Sequence, residues 1–268
     1  VPALVVCDHA SRAVPAALGN LGVADADLAR HIAWDIGAAS LALSLSRRLG
    51  VAAVLAGYSR LVIDCNRDPS RPGSIVEASD GTAVPGNVGL PMAERKGRIG
   101  AIFEPYHAAV SGELEALRRR AEAPALIAVH SFTDRLGGRV RPWHCGVLWG
   151  DDDRLARPLL RALRGESGLC VGDNEPYSGR APDNYTVDHH ARAAGLPYVC
   201  IEVRQDLLLD PGHVEDWARR LAAVLGAPLA DPLLYRPFTG HAEGGSRHEP
   251  AAYAGNRGGI PVRRSGDG

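Results

Sequence analysis

The sequence predicts a three-layer α/β sandwich built on a mainly parallel or mixed sheet. Short, nearly unbroken apolar runs read as buried strands, and segments of helical period alternate with them. Several of the runs also stop abruptly on ionisable residues. Ala3-Leu-Val-Val-Cys7 leads into Asp8-His9, Leu61-Val-Ile63 into Asp64-Cys65-Asn66-Arg67, Ala125-Leu-Ile-Ala-Val129 into His130-Ser131, and Tyr198-Val-Cys-Ile201 into Glu202-Val203-Arg204. In open α/β sheets the crevice lies beyond the carboxyl ends of the strands. Four polar strand ends therefore imply one convergent site.

After the first strand, Ser11 to Asn20 is a loop punctuated by Pro15 and Gly19. Apolar residues at helical spacing predict a helix from Asp25, its N-cap, to Leu49, stopped by Gly50. His31 and Asp35 would share a face of it, either as a surface pair or with Asp35 turned toward the site. Strands are expected at Val51 to Ala56 and Leu61 to Ile63. The Pro-, Gly- and Ser-rich stretch Asp68 to Asn87 is a long loop, of the kind that is functional or disordered.

A helix interrupted at Pro105 should cover Pro91 to Ala121, its Arg118-Arg119-Arg120 end solvated. Strands follow at Pro124 to Val129 and His144 to Trp149, with a Gly- and Arg-rich loop between them. Asp151-Asp152-Asp153 read as the cap of a helix reaching Arg164. A loop at Gly172 to Pro182, a helix at Asp183 to Ala194, a strand at Pro197 to Val203 and a helix at Gly212 to Leu225 complete the series.

The chain has 268 residues, long enough for a substantial core, and one domain over 1–235 is expected. The shift to Gly, Pro, Arg and His beyond it predicts a disordered tail at 240–268, in which His241 and His248 stand too isolated for metal binding. Apolar content of 46% and charged content of 23% are ordinary for a globular protein. A formal net charge of −1 gives no electrostatic case for nucleic acid or an anionic membrane, so a small molecule is the expected partner. No apolar run approaches the roughly 18 to 20 residues of a bilayer span, and the start has no signal-peptide pattern. The chain opens on Val1 rather than Met, and cytoplasm is the default expectation. Five scattered cysteines without Cys-x-x-Cys spacing read as buried free thiols.

No G-x-S-x-G elbow, P-loop, G-x-G-x-x-G turn or H-E-x-x-H helix occurs, which removes most support for serine hydrolases, nucleotide binders and zincins. What remains is a set of histidine, carboxylate and arginine residues on separate strand ends. Two neutral imidazoles, His9 and His130, with one oxygen ligand would leave zinc a position for water.

The stretches Cys-Asp-His-Ala-Ser, His-Ile-Ala-Trp-Asp-Ile-Gly-Ala, Tyr-Ser-Arg-Leu-Val-Ile-Asp-Cys-Asn-Arg, Val-His-Ser-Phe and Ile-Glu-Val-Arg-Gln-Asp resemble the N-formylglutamate amidohydrolase family. The resemblance runs in order from about Ala3 to Leu225. It implies a zinc-carboxypeptidase-like fold and a zinc ion, or another divalent metal, held by His9 and His130. Where the carboxypeptidases place a glutamate ligand three residues after the first histidine, this chain has Arg12. Asp35 is the expected third ligand, with Asp8 and Asp64 in reserve.

The same resemblance implies Glu202 as the catalytic glutamate and Asn66-Arg67 as the pair that grips a substrate carboxylate. Arg60, or the metal, would stabilise the tetrahedral oxyanion. Arg139, Arg141, Tyr177, Tyr185 and His144 are weaker candidates around the substrate, Arg141 and Tyr177 being the two carried forward. The implied activity is hydrolysis of a small N-acyl amino acid, N-formyl-L-glutamate first, giving formate and glutamate as in histidine breakdown. Another N-formyl or N-acyl substrate, or an inactive binding protein of the same fold, are the alternatives.

Overall fold

The computed structural model describes residues 1–181 and 183–240. The tail expected at 240–268, with His241 and His248, lies outside the described residues except for Gly240. Six strands form the main sheet: β1 (Ala3–Cys7), β2 (Ala52–Leu55), β3 (Ala125–Phe132), β4 (Cys145–Leu148), β5 (Val171–Asp173) and β6 (Tyr198–Arg204). Their order is β2-β1-β3-β6-β4-β5. The pairs β1–β2, β1–β3, β3–β6 and β4–β5 are parallel, and only β6–β4 is antiparallel. The carboxyl ends of β1, β3 and β6 thus open on one edge.

Six helices flank the sheet: α1 (Ala38–Leu49), α2 (Met92–Arg98), α3 (Glu104–Arg118), α4 (Ala156–Arg164), α5 (Tyr185–His190) and α6 (Pro211–Ala230). Because strand side chains alternate between faces, β1 serves two cores. Ala3, Val5 and Cys7 belong to one core with Leu41 and Leu45 of α1, Leu159 of α4 and Leu221 of α6. Leu4 and Val6 face Tyr106, Val110 and Leu114 of α3. Both faces are covered, which is why the strands are apolar throughout. Asp210 caps α6, its carboxylate accepting the Gly212 and His213 N–H groups at 2.7 and 3.3 Å, with Pro211 in the first turn.

The helix expected from Asp25 to Leu49 is broken. Asp25–Leu28 forms one turn, capped at Ala24 rather than by Asp25, and residues 29–37 turn back before α1 starts. Gly37 makes that return, at φ 79°, and a Cβ there would stand 2.4 Å from Leu208 Cβ. Gly50, at φ 65°, ends α1 as expected.

Leu61 to Ile63 is buried turn rather than strand. Val62 N–H donates to Ser59 O, and the segment packs into the second core, so its apolar character reflects burial and not pairing. At Pro105 the chain stays helical, because the proline falls in the first turn of α3, after a π-helical turn at Ile99–Phe103. Asp151, Asp152 and Asp153 do not cap α4. They pair with Arg192, Arg154 and Arg157, and the cap position is Leu155. The short edge strand β5 lies where a loop was expected. All five cysteines are free, and all but Cys170 are buried.

Candidate active site

Three strand tips and one turn bring the ionisable residues together. His9 follows β1, His130 lies near the end of β3, and Glu202 lies on β6 in register with His130. Asp35 reaches them from the return turn before α1, where its N–H donates to His9 O at 2.9 Å. Its Oδ2 lies 3.2 Å from His9 Nδ1 and 2.8 Å from His130 Nδ1. His9, Asp35 and His130 each turn a ligand atom to a common point, the three within 4.8 Å of one another.

The other ring nitrogens are also held. His9 Nε2 lies 2.7 Å from Asp64 Oδ1, and His130 Nε2 stands 3.1 Å from Asp8 Oδ2, off hydrogen-bond alignment. A carboxylate beside Nε2 keeps the proton there and leaves the Nδ1 lone pair directed at Asp35. Two lone pairs facing a carboxylate at about 3 Å repel unless a cation lies among them. The centre is thus built for positive charge, as protons on both rings or as one metal ion, and the donor set suits a divalent metal.

The acid–base balance follows from this charge. Burial alone would raise Asp8, Asp35 and Asp64. For Asp8, His130, His9 and Thr186 outweigh it and hold the group at about 2. Both imidazoles hold Asp35 well below the usual carboxylate range, and Arg60 and His9 do the same for Asp64. Burial pushes His9 and His130 down, but Asp35 with Asp64 or Asp8 overcomes it and raises both. Glu202 differs from the other carboxylates. It is 5% exposed, its Oε2 has no hydrogen-bond partner, and burial with Asp35 nearby lifts it to about 7 against the pull of the histidines and Arg141. A buried, unpartnered carboxylate near neutrality has the properties of a general base.

Arg60 stands inside this centre, its Nε and Nη2 donating to Asp64 Oδ2 at 3.1 and 2.7 Å and its Nη1 lying 3.7 Å from Asp35 Oδ1. Asn66 is buried, its Oδ1 accepting the Thr186 N–H at 3.1 Å, so its side chain braces α5. Arg67 donates to the Asn66 and Asp183 carbonyls and lines a cavity of about 410 Å³ with His31, Arg60 and Asp64. Arg141 is buried against Tyr177, whose Oη accepts its Nη1 at 3.0 Å.

Several expected candidates lie elsewhere. Arg12 stacks on Trp34, 5.9 Å from its ring centre. His144 Nδ1 accepts the Cys170 N–H, Tyr185 stacks on His189, and Arg139 is exposed in a small hairpin. His31 is not on a helix with Asp35; it lies 3.5 Å from Asp80 at the cavity rim. Two supporting residues carried no signal in the sequence. Tyr106 of α3 donates to Asp8 Oδ1 at 2.8 Å, and Thr186 of α5 donates to the same oxygen. Each looks like an ordinary core residue of its helix, and only the fold shows what it touches.

An α/β sandwich whose strand tips gather two imidazoles, a shared carboxylate and a free buried glutamate has the make-up of a hydrolase. The chain belongs to the N-formylglutamate amidohydrolase family, whose profile matches residues 1–209. A gene product of Agrobacterium tumefaciens of known structure is similar at 37% identity and a TM-score of 0.80, over 85% of this chain and 90% of that one. The N-formylglutamate amidohydrolase of Ralstonia eutropha shares the fold at 22% identity and a TM-score of 0.64, over 85% of this chain and 92% of that one. No curated protein matches. Among the described residues no helix is long and apolar enough to cross a membrane.

Proposed function

We propose that the protein is a metal-dependent amidohydrolase that releases formate from N-formyl-L-glutamate. The observation that carries this reading is the convergence of His9 Nδ1, His130 Nδ1 and Asp35 Oδ2 beside the unpartnered carboxylate of Glu202. His9, His130 and Asp35 would hold the metal, zinc by the character of the donors. When bound, such an ion supplies Lewis-acid polarisation of the scissile carbonyl and of the attacking water.

The rest of the chemistry falls to the chain's own side chains. Glu202 takes the proton of the attacking water at its free carboxylate oxygen and delivers it to the amide nitrogen as the C–N bond breaks. Its elevated proton affinity lets it hold that proton between the two events. Arg60 fixes Asp64 and faces Asp35, so its charge offsets the carboxylates behind the histidines and adds positive potential where the oxyanion forms. Arg67 and Arg141 supply guanidinium groups for the carboxylates of the substrate, with Asn66 and Tyr177 shaping their surroundings. Formate release from N-formyl-L-glutamate, with and without a chelator, tests the reading alongside metal analysis. Chelator-sensitive release is the expected result; no release from folded, zinc-loaded protein would refute the substrate assignment.

A further inference from the structure

Arg141 is a buried guanidinium without a counter-ion. The residue is 8% exposed, and among the described residues no carboxylate lies within ion-pairing distance of it. Its Nη1 donates to Tyr177 Oη at 3.0 Å and reaches Thr133 O at 3.5 Å. The guanidinium carbon lies 4.9 Å from the centre of the Tyr177 ring. Its Nε and Nη2 have no acceptor among the described residues, yet they are not sealed from solvent. Burying an unpaired charge is costly unless an anion arrives to pair with it.

The platform under it is tied by hydrogen bonds to the backbone. The Arg141 N–H donates to Asp134 O at 2.7 Å, closing the base of a small hairpin. Tyr177 rides on a loop whose Asn174 Oδ1 accepts the Trp149 and Gly179 N–H groups at 3.0 and 2.9 Å. That loop crosses β4 and β5 where Gly146 and Gly172 leave room for the Glu175 carbonyl. Such fixed donors suit a constant feature of a ligand better than a variable one.

Arg67 is placed differently, with Nη1 committed to two backbone carbonyls and its guanidinium facing the cavity of about 410 Å³. The cavity has apolar walls from Ile32, Leu61, Val76 and Leu136. Methylene groups ending in an anion fit such a lining. Arg141 and Tyr177, by contrast, do not line this cavity. The α-carboxylate is carried by the carbon bonded to the scissile nitrogen, ahead of the side-chain methylenes, and calls for a donor outside the side-chain cavity.

Resting on the function proposed above, we propose that Arg141 with Tyr177 anchors the α-carboxylate present in every N-acyl amino acid, while Arg67 in the cavity reads the side-chain carboxylate. Selectivity then resides in Arg67, and binding of the common part in Arg141.

The test is calorimetric binding of N-formyl-L-glutamate and of N-formyl-L-norvaline, which lacks the side-chain carboxylate, to zinc-loaded Glu202→Gln protein. In that background Arg141→Ala should weaken both ligands alike, by about 10- to 100-fold, and Arg141→Lys should restore only part, because an ammonium lacks the fork. Arg67→Ala should weaken N-formyl-L-glutamate alone. Unchanged affinity in Arg141→Ala protein that retains its thermal midpoint overturns the assignment, as does a loss confined to N-formyl-L-glutamate or an equal loss in Arg67→Ala. If neither ligand binds the parent protein and the wild type releases no formate, the proposed function fails as well. Formate release combined with an unaffected Arg141→Ala removes the anchor alone.

Discussion

Two pairs of buried histidines have opposite characters. His9 and His130 are surrounded by Asp8, Asp35 and Asp64, and both bind protons more readily than a free histidine. His107 of α3 and His190 of α5 face each other at 2.8 Å, otherwise hydrogen-bonded to a carbonyl and a hydroxyl and packed among aromatic rings and His189, and the pull of Asp8 on both is outweighed by burial. Burial dominates there and pushes both down, His190 to about 4 with help from its histidine neighbours. The same residue type becomes a cation receptor in one setting and a neutral strut in the other. Desolvation acts on both pairs, and the neighbouring carboxylates decide the sign.

The strut has a definable proton pattern. His107 Nε2 lies 2.9 Å from Cys65 O, which can only accept, so that nitrogen carries the proton and Nδ1 accepts from His190 Nε2. His190 Nδ1 then accepts from Ser111 Oγ at 3.4 Å. The chain ties α3 and α5 to the turn that carries Asp64, Asn66 and Arg67. One pair serves the chemistry and the other holds the frame around it.

The comparison breaks most visibly if the first pair is dispensable. Glu202→Gln should lower kcat by about 10²- to 10⁴-fold while zinc content stays at the wild-type value. His130→Ala should lose both turnover and tight zinc, exceeding the roughly 10- to 100-fold cost of a residue behind a ligand. Zinc retained in His130→Ala, measured by competition with a chromogenic chelator, would remove His130 from the ligand set. Asp8→Asn comes next. With Tyr106 and Thr186 still donating to the remaining oxygen, zinc affinity should fall about 10- to 100-fold with little change in the folded state. Unchanged affinity would mean that Asp8 does not orient His130.

Sequence alone carried the sheet further than it carried the site. β1, β3 and β6 are covered by helices on both faces, so each reads as an unbroken apolar run and its polar end stands out. Leu61 to Ile63 looked the same because a buried turn is as apolar as a buried strand. The three-residue edge strand β5 was too short to show a period. In the segment before α1, apolar recurrence suggested a continuous helix, although Gly37 marks the return. Asp35 was legible as a residue that could return to the strand ends, but through a helix shared with His31 that does not form; a turn over 29–37 brings it there instead. Arg141 was visible as a residue type, but its burial without a counter-ion exists only in three dimensions.

A milder test separates frame from chemistry. His107→Phe removes the hydrogen bonds to Cys65 O and His190, leaving buried polar groups unpaired at about 1–3 kcal/mol each. The thermal midpoint should fall while zinc affinity and kcat stay within a few-fold of wild type. A loss of zinc comparable to that of Asp8→Asn would show that the two pairs are not independent.

The smallest expected effect lies in the pH dependence of stability. His190 has its proton affinity lowered on folding, to about 4 from an ordinary value of roughly 6.5. The unfolded chain therefore binds the proton more tightly across that window, and stability rises with pH through it. The contribution is complete above about pH 6.5 and is lost as pH falls toward 4. His190→Gln offers a test, since the amide can still donate to His107 Nδ1 and accept from Ser111 but does not titrate. Denaturant unfolding of both proteins between pH 7 and 5 should show the wild type losing stability relative to the variant on acidification. Parallel curves would mean that His190 keeps an ordinary proton affinity when folded, and that burial does not set the two histidine pairs apart.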